Sequence, residues 1–180
     1  RAFCTFEYIY FSRPDSIING KLTYSLRQAM GAQLAREHPV DADIVIGVPD
    51  SATAAAVGYA QEAGIPYNEG LLKNRYVGRT FIEPDQRVRD LGVKLKFNTL
   101  PEVLDGKRVI VVDDSIVRGT TTPHVVDLLH QGGAEEVHLR ICAPPIKHPC
   151  HLGIDMATRK ELLAANKSVE AIRSLVQADS

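Results

Sequence analysis

The chain has 180 residues, 44% hydrophobic and 24% charged, enough for one domain with a sizeable core. Its 21 basic and 22 acidic residues leave a net charge of −1, which excludes a strongly basic nucleic-acid binder. No apolar run approaches the roughly 20 residues of a membrane span, no signal peptide opens the chain, and three cysteines are too few, and an odd number, for a secreted disulfide framework. An intracellular soluble enzyme or binding domain is the expectation. Because the first residue is Arg1 rather than Met, the sequence reads either as trimmed at its termini or as an internal piece of a longer protein.

In chain order, Phe3 to Phe11 is rich in aromatic and β-branched residues and predicts a strand. Arg13-Pro14-Asp15 breaks it, and Asn19-Gly20 marks a turn. Leu22, Leu26, Met30 and Leu34 form an i, i+4 stripe that predicts a helix reaching Glu37. The run Ile44-Val45-Ile46-Gly47-Val48 has the continuous apolar character of a strand buried on both faces. Asp50-Ser51 then opens an Ala-rich helix to Ala63, stopped by Gly64 and Pro66.

From Leu72 to Leu100 no period holds. Seven basic residues (Lys73, Arg75, Arg79, Arg87, Arg89, Lys94, Lys96) crowd there against three acidic ones, and so long an irregular stretch is uncommon in a compact domain unless functional or disordered. Val109 to Val112 restores a strand, and a helix follows with Thr122 as N-cap, Pro123 in its first turn and Gly132-Gly133 at its end. Val137 to Cys142 predicts the next strand, with Cys142 a small buried residue. Thr158 and Glu161 have the spacing of a capping box for a C-terminal helix. Strands alternating with helices indicate an α/β fold with a mostly parallel sheet.

The most informative stretch runs from Val109 through Asp113 and Asp114 to Thr121. A buried apolar strand delivers two carboxylates at its C-terminal end, where open α/β sheets bind ligands. Ser115, Ile116, Val117, Arg118, Gly119, Thr120 and Thr121 then lead into a helix N-terminus, whose N–H groups and dipole suit a phosphate. Gly119 permits close backbone approach, and the two threonines add hydroxyl donors. Carboxylates beside a phosphate call for ribose hydroxyls and a divalent cation between them, so the pattern suits a sugar phosphate with magnesium. The plainer possibility is that Asp113 and Asp114 merely cap a helix.

This strand, acidic pair and loop resemble the signature of the type I phosphoribosyltransferases. Three further stretches are similar to the amidophosphoribosyltransferase family: Cys4 to Ser16, Gly47-Val48-Pro49-Asp50-Ser51, and Lys73-Asn74-Arg75-Tyr76-Val77-Gly78-Arg79-Thr80-Phe81-Ile82. The resemblance spans nearly the whole chain and implies the type I phosphoribosyltransferase fold, a mostly parallel central sheet flanked by helices, with a mobile catalytic loop. It further implies a strand segment at 1–19 linking to a glutaminase domain that this chain does not match, a core at 20–147 and a C-terminal helical segment at 148–180. The implied reaction joins ammonia, from that attached glutaminase, to C1 of phosphoribosylpyrophosphate and expels pyrophosphate, the committed step of purine synthesis.

By the same resemblance, Ser51, Asp113 and Asp114 surround Mg²⁺ and substrate, Ser115 through Thr121 hold the 5′-phosphate, and Val48, Pro49, Asp50 and Ser51 receive pyrophosphate. Ser51 has a second reading as a helix N-cap, and its hydroxyl can serve both. Lys73 binds substrate, while Arg75 and Arg79 are the catalytic cations of a loop that closes to keep water from the reactive carbon. A solvated basic loop without substrate contact is the plainer reading of that stretch. Purine nucleotides as feedback inhibitors, a homo-oligomer, and a cytoplasmic location (plastid for a plant protein) are also implied. Two other classes stay open: a nucleotide-sensing regulatory module that keeps the fold, and a salvage phosphoribosyltransferase, although no dedicated base-binding hood is evident.

Cys4 and Cys150 lie near the two ends of the core. His148, Cys150 and His151 permit a zinc site with Cys4 as fourth ligand, and a Cys4–Cys150 disulfide is a further possibility. The resemblance points instead to a 4Fe–4S cluster whose first two ligands match Cys4 and Cys150. The remaining Cys-x-x-Cys pair does not occur before Ser180, so the expectation is a structural cluster in the full-length protein, held incompletely or not at all by these 180 residues.

Overall fold

A computed structural model describes residues 3–74, 96–150 and 158–180. Arg75, Arg79 and His151, and most of the basic stretch singled out above, lie outside the described residues. The chain opens not on the expected strand but on a π-helical turn, Glu7–Phe11, that buries only Ile9. Aromatic and β-branched richness reports a side-chain preference for pleated surfaces, not a backbone commitment. Here the Ser12 N–H reaches the Glu7 carbonyl at 3.1 Å, closing the wide turn. The Asn19-Gly20 turn is as read: both residues have positive φ, and they join β1 (Ile17–Ile18) to β2 (Lys21–Leu22) in a short antiparallel hairpin.

Helix α1 (Thr23–Glu37) follows, and its buried face departs from the apolar stripe. Thr23, Arg27, Gly31, Leu34 and Ala35 are buried, whereas Leu22 is exposed and Leu26 and Met30 are only half-buried. The cause is the neighbouring helix. After β3 (Ile44–Gly47) comes α2 (Thr53–Ala63), which crosses α1 so closely that a Cβ on Gly31 would stand 1.8 Å from the Ala55 carbonyl oxygen. A Cβ on Gly58 would meet the Gln28 carbonyl oxygen at 2.0 Å, so the crossing is built on one glycine from each helix. Gly64 caps α2 in the left-handed conformation, as its position in the sequence implies.

The chain then forms β4 (Leu71–Lys73), and later β5 (Phe97–Thr99), which pair antiparallel. A single helical turn, α3 (Pro101–Leu104), leads to β6 (Arg108–Asp113), α4 (Thr122–Gln131) and β7 (Glu136–Ile141). β6 lies between β3 and β7 in a parallel sheet of order β3-β6-β7, and Val45 makes a parallel bridge to Tyr67 on the outer side of β3. Alternation along the strands divides the core. Val45, Ile110 and Val112 pack under α1 and α2 with Tyr59, while Ile44, Ile46, Val109 and Val111 pack under α4 with Leu104, Phe97 and Leu129. Burial on both faces explains the continuous apolar runs.

Two expected caps are corrected. Thr121, not Thr122, occupies the cap position of α4 and makes no side-chain cap bond, and Thr122 is a buried residue of the first turn. The Thr158 hydroxyl does bond the Glu161 carboxylate at 2.9 Å, but this starts only a 3₁₀ turn, Arg159–Glu161. The following helices are α5 (Leu163–Asn166) and α6 (Val169–Val176), the latter capped by the Ser168 hydroxyl. The chain then returns along β7, where the Leu139 N–H donates to the Ser180 carbonyl at 2.8 Å.

The starts of β3 and β6 are clamped by Arg108, whose guanidinium and backbone N–H bond Asp43 and hold its carboxyl down to about 2. A depressed carboxylate contributes stability above its unfolded value of about 3.9 and loses it as the pH falls through the folded one. Asp43→Asn is therefore expected to lower Tm at neutral pH, with the gap to the parent closing as the pH is taken toward 3; thermal melts across that range check it.

Candidate functional site

The site is built where β3 and β6 end. Val48 continues β3 by donating to the Val112 carbonyl at 2.9 Å, and the chain then turns through Pro49, Asp50 and Ser51, with a cis peptide between Pro49 and Asp50. The helix begins only at Thr53, with Ala52 in the cap position, so Ser51 does not cap it. Instead it faces the Asp114 side chain, with which it lines one small cavity. Of the two readings of Ser51, only the one facing the acidic pair has a contact in the structure.

Asp113 closes β6, and Asp114 follows it, 8% exposed. The pair is fixed by its backbone. Cys142 and Ala143, at the end of β7, donate N–H groups to the carbonyls of Asp113 and Asp114 at 3.0 and 2.8 Å. The Asp114 N–H bonds the Asp113 carboxylate at 2.8 Å, and the Ser115 hydroxyl donates to Asp114. Neither aspartate caps a helix. Burial, and then the charge of its neighbour, pushes the Asp113 carboxyl well above the usual carboxylate range, and burial pushes Asp114 the same way. Two adjacent desolvated carboxylates store repulsion that a divalent cation relieves. Ser51, Asp113 and Asp114 thus fit the Mg²⁺ assigned to them.

The loop 115–121 leaves this pair and enters α4. It rests on the C-terminal segment: the Leu163 N–H donates to the Val117 carbonyl at 2.9 Å, and Arg118 bonds Glu161 at 2.8 and 3.0 Å. Gly119 has φ +70°, and a Cβ there would strike the Leu163 side chain at 2.5 Å. The loop is therefore backed by the C-terminal segment on one side, with Thr120 exposed and Thr121 half-buried. On the opposite wall, Lys73 from β4 reaches Asp50 at 2.9 Å, so two residues 23 positions apart in sequence meet at the mouth. Val48, Pro49, Asp50, Ser51, Lys73, Asp113 and Asp114 and the loop 115–121 are gathered around the carboxyl ends of β3 and β6.

Two residues missed in the sequence complete the charge pattern. Lys96, half-buried beside the Phe97 ring at 5.3 Å, has its pKa lowered by burial and by Lys73 while Asp113 and Asp114 oppose that shift. Arg27, buried in α1, faces Asp114 and Cys142 and donates to backbone carbonyls of the N-terminal segment. Alternation past the inward Phe97 was the available signal for Lys96. For Arg27, the only signal was a cation set between the apolar Leu26 and Met30 of the helix stripe. Cys142, read as inert packing, is half-buried beside the acidic pair, and burial pushes its thiol up to about 12.

Cys4 and Cys150 are half-buried, and no disulfide joins the three cysteines. Among the described residues, no group of three or more His, Cys, Asp or Glu side chains is placed to hold a metal by itself, and the zinc grouping of His148, Cys150, His151 and Cys4 falls partly outside them.

The family of the phosphoribosyl transferase domain matches residues 19–172. The chain is similar to amidophosphoribosyltransferases from Archaeoglobus fulgidus (58% identical over 180 residues, all of this chain and 39% of the relative) and Methanothermobacter thermautotrophicus (56%, all of this chain and 38% of the relative). It is also similar to the solved glutamine phosphoribosylpyrophosphate amidotransferase of B. subtilis, complexed with ADP and GMP, at 55% identity and a TM-score of 0.90 over 100% of this chain and 40% of that one. The chain thus spans 38–40% of the length of these relatives. The match to that family model over most of the chain, with a parallel sheet that delivers the acidic pair at its carboxyl end, places the chain in the phosphoribosyl transferase domain family, and along its whole length it is similar to amidophosphoribosyltransferases.

Proposed function

We propose that this chain is the phosphoribosyltransferase part of a glutamine amidotransferase that makes 5-phosphoribosylamine from phosphoribosylpyrophosphate. The observation that carries the reading is the acidic pair of half-buried Asp113 and buried Asp114, facing Ser51 on one side and running directly into the backed loop 115–121 on the other. The loop 115–121 and the N-terminus of α4 bind the 5′-phosphate, with Gly119 giving close approach. Asp113 and Asp114 orient the ribose hydroxyls and, with Ser51, would hold Mg²⁺. That ion, when bound, neutralises charge on the departing pyrophosphate.

The turn 48–51 and Lys73 face the pyrophosphate, and Arg75 and Arg79, outside the described residues, are assigned to close over it. Ammonia forms the new bond to C1 with its lone pair as the C1–oxygen bond breaks. That electron pair leaves with pyrophosphate, and the surplus proton passes to solvent. Ammonia needs no strong base, so the protein's contribution is placement and electrostatic stabilisation of the leaving group.

The remainder of the reading concerns the whole protein: ammonia from an attached glutaminase, feedback by purine nucleotides, a homo-oligomer and a cytoplasmic (or plastid) location. Nucleotide feedback is supported by the ADP and GMP bound to the B. subtilis relative. No helix among the described residues is long and apolar enough to cross a membrane. A 4Fe–4S cluster in the full-length protein takes Cys4 and Cys150 as two of its four thiolates. These residues alone do not complete that site, and no step of the transfer runs through it. Iron and sulfide analysis after anaerobic purification checks it, and stoichiometric zinc without iron would favour the His/Cys site.

The function is tested by incubating the purified chain with Mg²⁺ and phosphoribosylpyrophosphate and following pyrophosphate release. Release driven by ammonium but not by glutamine is expected. Glutamine-dependent release by this chain, or a failure to bind the magnesium complex at all, would overturn the reading.

A further inference from the structure

The mechanism above leaves one buried charge unused. Arg27 is 4% exposed, in the second turn of α1, one turn before the glycine on which α1 and α2 cross. Its guanidinium donates to the carbonyl of Tyr8 and to that of Ser12, both at 2.8 Å, so one side chain binds backbone within the N-terminal turn and at its C-terminal cap. The same side chain lines a cavity of about 10 Å³ with Ile9, Ser51, Ala55, Asp114 and Cys142. That is at the lower limit for one water molecule. The N-terminal segment, α1, α2 and the Ser51–Asp114 edge therefore meet around the guanidinium with almost no free space.

Burying a cation is costly unless its donors are satisfied and an opposite charge is near. Two carbonyls alone could be met by a neutral amide. A planar guanidinium with five donors reaches both carbonyls at once and leaves its charge toward Asp114, which a neutral amide cannot do. The close helix crossing keeps this arrangement from relaxing, since α1 cannot slide on α2 without backbone collision.

We propose that Arg27 is a positioning residue for the transfer: it locks the N-terminal segment and the Ser51–Asp114 edge of the cleft into one geometry. The role rests on the reading of that cleft as the phosphoribosylpyrophosphate site. It touches no substrate, and its effect comes through Asp114 and Ser51.

The test uses the full-length protein with ammonia as donor, comparing Arg27→Met and Arg27→Lys with the parent. Kinetics give kcat and KM for phosphoribosylpyrophosphate, and hydrogen–deuterium exchange follows the peptides 5–16 and 112–119. A misplacement of about 1 Å costs on the order of 10²-fold in rate, so Arg27→Met is expected to lose about tenfold or more in kcat. Exchange should quicken in both peptides together. Arg27→Lys keeps the charge but cannot hold both carbonyls, so its kcat should fall clearly below that of the parent, between the parent and Arg27→Met, with exchange faster in both 5–16 and 112–119.

Unchanged kcat and KM in Arg27→Met with only a lower Tm, or faster exchange confined to 5–16, would overturn the proposal in favour of a purely structural tie. Should Arg27→Met not fold, Arg27→Lys decides: quickened exchange at 5–16 with parental kcat overturns it equally. A parent that does not turn over phosphoribosylpyrophosphate would fell the reading of the cleft, whereas the paired exchange response reports on the Arg27 link independently.

Discussion

Replacing Asp113 and Asp114 together by Asn is expected to weaken binding of magnesium phosphoribosylpyrophosphate at least about 100-fold while raising the thermal stability of the ligand-free protein. Each tenfold in affinity is about 1.4 kcal/mol, so the loss asked for is about 2.7 kcal/mol, modest for removing both carboxylates from a cation and a ribose diol. The opposite sign in stability follows from the electrostatics. Both carboxyls have folded-state pKa values above their unfolded ones, through burial and, at Asp113, the neighbouring charge. Such groups favour the fold below the unfolded pKa and cost stability as the pH rises through the folded value.

At neutral pH the pair, whose ionisation the fold opposes, therefore works against folding, and Asn, of nearly the same shape, removes that cost. For a domain of this size each kcal/mol shifts Tm by about 2–4 °C, so a gain of several degrees near pH 8 that shrinks toward pH 4 is the expected pattern. Calorimetric titration and thermal melts on the same samples read both effects. Unchanged affinity would sink the assignment of the pair, and a lowered Tm at pH 8 would sink its electrostatic account.

The second large effect is at the helix crossing. Gly31→Ala is expected to destabilise the fold by about 3 kcal/mol or more, because backbone rather than a movable side chain occupies the space. Helix propensity alone gives the opposite expectation, a gain of about 1 kcal/mol for Ala over Gly. The 1.8 Å approach to the Ala55 carbonyl oxygen decides between them, since only separation of α1 from α2 relieves it. Gly64→Ala is the control: it has φ +69° and open space around it, so its cost is the left-handed backbone term of about 1–2 kcal/mol. Urea unfolding of the two variants checks the order, and a Gly31→Ala no more destabilised than Gly64→Ala would contradict it.

What the sequence made legible follows a physical line. The strands β3 and β6 are buried on both faces, so their burial is written in consecutive residues such as Val109 to Val112 and needs no knowledge of the partner. The acidic pair and the loop after it are contiguous, and a contiguous motif keeps its meaning. Features set by a distant neighbour were not legible. The stripe of α1 was read as Leu22, Leu26, Met30 and Leu34 because hydrophobicity was the only guide, yet only Leu34 of these is buried, while the proximity of α2 selects Gly31 and the N-terminal segment covers Arg27. Ser51 looked equally suited to capping α2, and only the position of Asp114, 63 residues on, decides its partner. The pairing of Lys73 with Asp50 and the approach of Lys96 to the carboxylates likewise exist only once β4 and β5 are laid beside the sheet. Phe3 to Phe11 was misread for a related reason: the carbonyls of Cys4, Thr5 and Glu7 accept from N–H groups of the turn itself and that of Tyr8 from the distant Arg27 side chain, rather than from a neighbouring strand.

The central claim, that the carboxyl ends of β3 and β6 hold phosphoribosylpyrophosphate, is tested most directly by a crystal structure of this chain with Mg²⁺ and a non-reactive carbocyclic analogue of that substrate. The expected result is the 5′-phosphate on the loop 115–121, the ribose diol and metal at Asp113 and Asp114, and the pyrophosphate against the turn 48–51. An analogue seated away from the acidic pair, or bound with its pyrophosphate in the 115–121 loop, would contradict it.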